Sequence, residues 1–138
     1  MSWVSIDARS GHADDQRRRR SPPTGRSALK HVATAYLAFG LSRPALYQAM
    51  FVLPTDLRFA EAGSRPELQA AFEALAAVVT PFCTDVAVVT ESFWAALHGL
   101  TELERSGRIR PAARDERIAF IVRTIAESGS AHSTRRSR

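Results

Sequence analysis

The segment Phe93-Trp94-Ala95-Ala96-Leu97-His98-Gly99-Leu100 lies inside a candidate helix from Asp85 to Arg105 that is apolar on almost every side. At about 100° per residue, Val86, Val89, Phe93, Leu97 and Leu100 share one face. Val88, Ser92, Ala95, Ala96, Gly99 and Leu103 share a second, roughly opposite face made mostly of small residues. The polar residues Glu91, His98, Glu102 and Arg105 are confined to a strip between the two. A helix with two apolar faces must bury both. In a chain of 138 residues, the simplest cover for the second face is another copy of the same protein.

Outward from this helix, the rest of the chain divides at its prolines and glycines. Ser27 is placed to cap a first helix, in which Ala28, Val32, Ala35, Tyr36 and Phe39 fall on one face. Gly40 weakens its end and Pro44 closes it. Pro44 also opens a short second helix reaching Leu53 and carrying Leu46, Tyr47, Met50 and Phe51. Pro54 ends that helix, and residues 54–65 read as a loop. Ser64 caps a third helix with Pro66 and Glu67 in its first turn and the stripe Leu68, Phe72, Leu75 and Val79; Pro81 stops it. Asp85 caps the central helix, which ends at Gly107. The last helix follows Pro111, with Ile118, Ile121, Val122 and Ile125 on one face, and ends at Gly129. On its opposite face stand Ala113, Phe120 and Thr124. No segment alternates with period two, and no hairpin turn or internal repeat occurs. The expectation is an all-α fold of about five helices, the last two forming an antiparallel pair.

Composition agrees with one globular domain, and the charge is unevenly placed. The net charge is +5 and the pI near 10.6. Residues 1–30 hold seven basic and three acidic residues, and 131–138 add three arginines, whereas 31–130 hold nine basic and eleven acidic residues. The basic character therefore belongs to the ends. Residues 1–26 read as a disordered basic arm, 27–129 as the folded domain and 130–138 as a disordered basic tail. The run Arg17–Arg20 has two readings, a solvated arm or a nonspecific nucleic-acid contact; Arg135, Arg136 and Arg138 would join the second. No membrane span and no signal peptide is legible, and the single Cys83 can form no internal disulfide, so a cytoplasmic location is expected.

Little in the sequence points to chemistry. There is no phosphate-binding glycine loop, no Gly-x-Ser-x-Gly and no Cys-x-x-Cys, and nothing beside Cys83 would activate its thiol; no enzyme and no cofactor is expected. His98 has three readings. It is a structural histidine hydrogen-bonded to Glu102 one turn on, a contact to a bound ligand, or a metal ligand with Glu102 and Glu91. The third lacks a second histidine nearby, and no metal site is assigned. Trp94 is either core or a platform for a ligand.

Trp94-Ala95-Ala96-Leu97-His98-Gly99-Leu100 resembles the Trp-x-x-x-His-Gly signature in the C-terminal domain of TetR-type transcriptional regulators. Ala35-Tyr36-Leu37-Ala38-Phe39-Gly40-Leu41-Ser42-Arg43-Pro44-Ala45-Leu46-Tyr47-Gln48-Ala49-Met50-Phe51 is similar to the segment that precedes the signature there, and Leu103-Glu104-Arg105-Ser106-Gly107-Arg108-Ile109 to the segment that follows it. The resemblance covers about residues 28–128. It implies an effector-sensing and dimerisation domain whose last two helices build a four-helix bundle with those of a second copy. The residues expected to line the space for a small apolar or amphipathic effector are Tyr47, Met50, Phe51, Phe72, Leu75, Phe93, Trp94, Leu97 and His98. Those expected at the dimer interface are Val88, Ser92, Ala95, Ala96, Gly99, Leu103, Ala113, Phe120 and Thr124. Regulators of this type begin with a helix-turn-helix unit, and residues 1–27 are too short and too proline-broken to form one. The expectation is therefore a headless form that homodimerises or pairs with a full-length relative. It would meet DNA only if a helix-turn-helix is missing from this sequence. The alternative is a small protein that binds nucleic acid nonspecifically through its arginine-rich ends.

Overall fold

Helix α1 (Gly25–Ser42) is the strut on which the other helices are laid. Leu29, Ala33, Tyr36 and Leu37 are fully buried, and Val32, Phe39 and Gly40 nearly so, which places burial on more than one side of the helix. The expected stripe was narrower. Ala28 and Ala35 are only half-buried, and the helix meets α3, α4 and α5 on its different sides. The computed structural model describes residues 22–52 and 66–135, the side chains of 131–135 excepted. The basic arm as far as residue 21, the loop 54–65 with its Ser64 cap and the side chains of the arginine tail lie outside the described residues.

α1 starts earlier than its serine suggested. Thr24 is extended and Gly25 takes φ +56°, a conformation that costs glycine nothing, so Ser27 lies within the first turn. The helix also runs past Gly40. A Cβ there would overlap Cγ2 of Thr101 and lie 3.1 Å from the Tyr47 ring, so the glycine permits close packing. Pro44 opens α2 (Pro44–Tyr47), but the chain then widens into a π turn over Gln48–Val52 in place of a continued α-helix. Such turns are rare and cluster at functional sites.

α3 (Pro66–Val79) buries Leu68, Ala71, Leu75 and Val79; Ala71 is buried where Phe72, expected on that stripe, is half-buried. A 3-10 turn, Thr80–Phe82, follows at Pro81. α4 (Val86–Arg105) is capped as expected, with the Val88 N–H donating to Asp85 Oδ1 at 3.1 Å. It ends at Gly107, φ +70°, whose N–H donates to Glu104 O at 3.0 Å while the Arg108 N–H reaches Leu103 O at 2.8 Å. That pairing satisfies the last free carbonyls and stops the helix.

A second 3-10 turn, Pro111–Ala113, leads into α5 (Arg114–Arg135). Ile118, Val122, Ile125 and Ala126 are buried. α5 does not stop at Gly129. A Cβ at that position would overlap the Phe82 carbonyl, so this glycine too marks a close approach. The start of α5 is latched to the end of α4. The Glu104 carboxylate, 3% exposed, accepts from Arg114 Nε at 2.9 and 3.1 Å, again from the Arg114 terminal nitrogen, and from Arg117 at 3.3 Å. The described residues form helices and turns with no strand, an all-α fold of five α-helices. Among them no single helix is long and apolar enough to cross a membrane.

Candidate ligand site and interaction face

Three elements bring three polar rings together. Tyr36 comes from α1, Tyr47 from α2 and His98 from α4. The two hydroxyls lie 2.9 Å apart, and the Tyr47 hydroxyl lies 2.6 Å from His98 Nδ1. The Tyr47 and His98 rings are stacked at 5.6 Å and 19°, while Tyr36 meets Tyr47 edge-on at 5.7 Å. Phe51 is 5.2 Å from the Tyr47 ring and 6.2 Å from Trp94, and Trp94 is 5.5 Å from His98. The result is a polar chain set in an aromatic wall.

Burial governs the electrostatics of this chain. It pushes the Tyr47 phenol up to about 12, and that of Tyr36 further in the same direction. Burial also lowers His98, against the opposing pull of Glu102, so its imidazole is neutral at pH 7. The expected His98–Glu102 hydrogen bond is not the one formed. The short α2 carries Tyr47 onto Nδ1, and Glu102 turns to Arg105 at 2.8 Å. With its amide oxygen turned to that guanidinium, Gln48 accepts from Arg105 at 3.0 and 3.1 Å.

The residues expected to meet a ligand fall into two groups. Tyr47 and His98 belong to the polar chain, Phe51 and Trp94 pack beside it, and Met50 precedes Phe51 in the π turn; all but Tyr47 are half-buried. Leu75, Phe93 and Leu97 are fully buried in the core behind them, and Phe72 is half-buried on α3. Tyr36 was missed as a site residue. Its helical spacing marks it as core, and only the tertiary fold shows its hydroxyl on Tyr47.

A separate cleft of about 1140 Å³ opens among the start of α1, the α3–α4 connection and the far part of α5, lined by Arg26, Phe82, Cys83, Asp85, Val89 and Gly129 among others. It shares no residue with the expected ligand set. Within it the Cys83 thiol donates to Val79 O at 3.3 Å, and burial together with Asp85 pushes its pKa up, which disfavours the thiolate. Among the described residues, no group of three or more His, Cys, Asp or Glu side chains is placed to share a metal ion.

The second face of α4 is open. Val88 is 55% exposed and Leu103 41%, with Ser92 and Ala95 exposed between them. Ala96 and Gly99 are half-buried, yet a Cβ at Gly99 would meet nothing within 4 Å. On α5, Phe120 is 59% exposed with the Arg123 guanidinium over its ring, Thr124 is exposed, and Ala113 in the turn before it is half-buried. Of the first face, Phe93 and Leu97 are buried but Val86, Val89 and Leu100 only half-buried, and the buried stripe includes Thr90, Thr101 and Glu104 in their place.

No curated protein and no solved structure gives a significant match to this sequence. One family does match, over residues 29–125 and hence from the start of α1 well into α5. The chain belongs to the tetracyclin repressor-like C-terminal domain family.

Proposed function

We propose that this domain senses a small effector and forms a homodimer in a TetR-type transcriptional regulator. The observation that carries the reading is the open apolar face of α4 and α5, with Val88, Leu103 and Phe120 exposed around a Gly99 that a neighbouring helix can approach closely. Pairing α4 and α5 of two copies through this face would form a four-helix bundle. The half-buried rim of Met50, Phe51, Trp94 and His98 supports the sensing role. It offers an apolar, adaptable surface with one polar group converging on it, as effector sites do. An effector seated there would touch the π turn and α4 at once, so its binding would bias the helix that also carries the dimer face.

Cross-linking tests the pairing. With Cys83→Ser as background, Gly99→Cys should cross-link to twice the chain mass on mild oxidation. Glu67→Cys, exposed on α3, should not. Equal behaviour of the two variants would remove the proposed face.

A further inference from the structure

The polar chain determines which ring nitrogen of His98 faces outward, and through that the chemistry of what it can bind; this rests on the effector-sensing role proposed above. Tyr47 has one hydroxyl proton, and its oxygen faces the Tyr36 oxygen at 2.9 Å and His98 Nδ1 at 2.6 Å. An imidazole nitrogen is the stronger base of the two, so the Tyr47 O–H donates to Nδ1 and the Tyr36 O–H donates to Tyr47. A neutral imidazole that accepts at Nδ1 carries its proton on Nε2. That second nitrogen makes no hydrogen bond among the described residues, and the ring is half-buried beside Trp94, which in turn packs on Phe51. The other ionisable groups around the ring are Glu102 and Arg105 on α4, paired with each other at 2.8 Å, and the two tyrosines.

We propose that His98 is a specificity-determining residue that presents Nε2–H as a fixed donor, so that the domain selects flat apolar ligands carrying a hydrogen-bond acceptor, such as an aryl ketone or carboxylic acid derivative, over ligands of the same shape without one. Tyr47 and Tyr36 are positioning residues. They hold the imidazole in that tautomer and never touch the ligand.

The test is nitrogen NMR of the imidazole rings in the full chain at neutral pH, with the His98 signals assigned from a His98→Asn variant. Two shape-matched probes, acetylnaphthalene and ethylnaphthalene, are titrated in parallel. The expected result is a protonated Nε2 and an unprotonated Nδ1 in the free protein. Acetylnaphthalene should then shift Nε2 and bind more tightly than ethylnaphthalene by roughly fivefold, the equivalent of one net hydrogen bond. In Tyr47→Phe the Nδ1-protonated tautomer should appear and the preference should shrink toward equality. A proton on Nδ1 in the wild type, equal affinities, no response of His98 to either probe, or an unchanged preference in Tyr47→Phe would each overturn the inference. The tautomer of the free protein is read without any ligand, so the donor assignment and the effector-sensing role can fail separately, and both are independent of the cross-linking result.

Discussion

Tyr47 and His98 are 51 residues apart in the chain, yet the phenolic oxygen of one lies 2.6 Å from Nδ1 of the other, with their rings stacked. This contact ties the short α2 to the middle of α4, and through the Tyr36 hydroxyl it ties both to α1. The dominant influence on all three groups is burial, which favours their neutral forms. Replacing Tyr47 by Phe removes both hydrogen bonds and keeps the packing. The expected loss is about 1–3 kcal/mol in denaturant unfolding, and a loss indistinguishable from zero would show that the chain contributes nothing net to stability.

The chain has two tyrosines, and both belong to this cluster. Alkaline titration of the folded protein, followed by tyrosinate absorbance, should show no step near 10.0, the ordinary value; the denatured chain should show both there. Because the folded state retains protons that the unfolded state gives up, stability should fall as pH rises from 10.0 toward about 12. Ordinary titration in the folded state would contradict the burial of these hydroxyls.

Acid acts through two other groups. His98 is depressed below 6.5 by burial, so the unfolded state takes up the proton first, and this contribution is lost as pH falls from 6.5 through the folded value. Glu104 is held below 4.5 chiefly by its hydrogen bond from Arg114; its contribution is present above 4.5 and is lost on acidification below that. Glu104→Gln should cost about 1–3 kcal/mol at neutral pH, a figure discounted because Arg114 is 38% exposed, and should flatten the lower part of the acid-stability profile. A variant with the wild-type profile would remove the latch from the account.

Three glycines inside helices should respond differently to alanine. At Gly40 the new Cβ meets Thr101 and Tyr47, and at Gly129 it meets the Phe82 backbone, so both variants should lose about 1–3 kcal/mol through overpacking. At Gly99 it meets open space, and the helix-favouring alanine should leave the fold of one subunit as stable or more so, by up to ~1 kcal/mol. Thermal melts of the three variants, each in the Val88→Glu, Phe120→Glu background that removes pairing, check this order, which a strong loss at Gly99 alone would reverse.

Local rules made much of the fold legible. The Asp85 cap and the stop at Gly107 each depend on residues within a few positions of one another, and both are found as expected, whereas the buried stripe of α4 is turned from the expected one toward Thr90, Thr101 and Glu104. Where tertiary contact overrides local preference, the sequence misleads. Gly129 looks like a helix end, but its lack of a side chain serves the approach of Phe82. The candidate site was half legible. Tyr47, Phe51, Trp94 and His98 do come together, but the partner of His98 was misassigned. Glu102 is one turn away in sequence, whereas Tyr47 is delivered by a break at Pro44 and a π turn that no spacing rule anticipates.

Pairing through α4 and α5 is the central claim, and the solution mass of the full chain tests it most directly. Sedimentation equilibrium should give twice the 15.2 kDa of the chain, and Phe120→Glu combined with Val88→Glu should return the mass to 15.2 kDa with the helical content unchanged. A wild-type mass of 15.2 kDa across the concentration range, or a double variant that still pairs, would contradict the account.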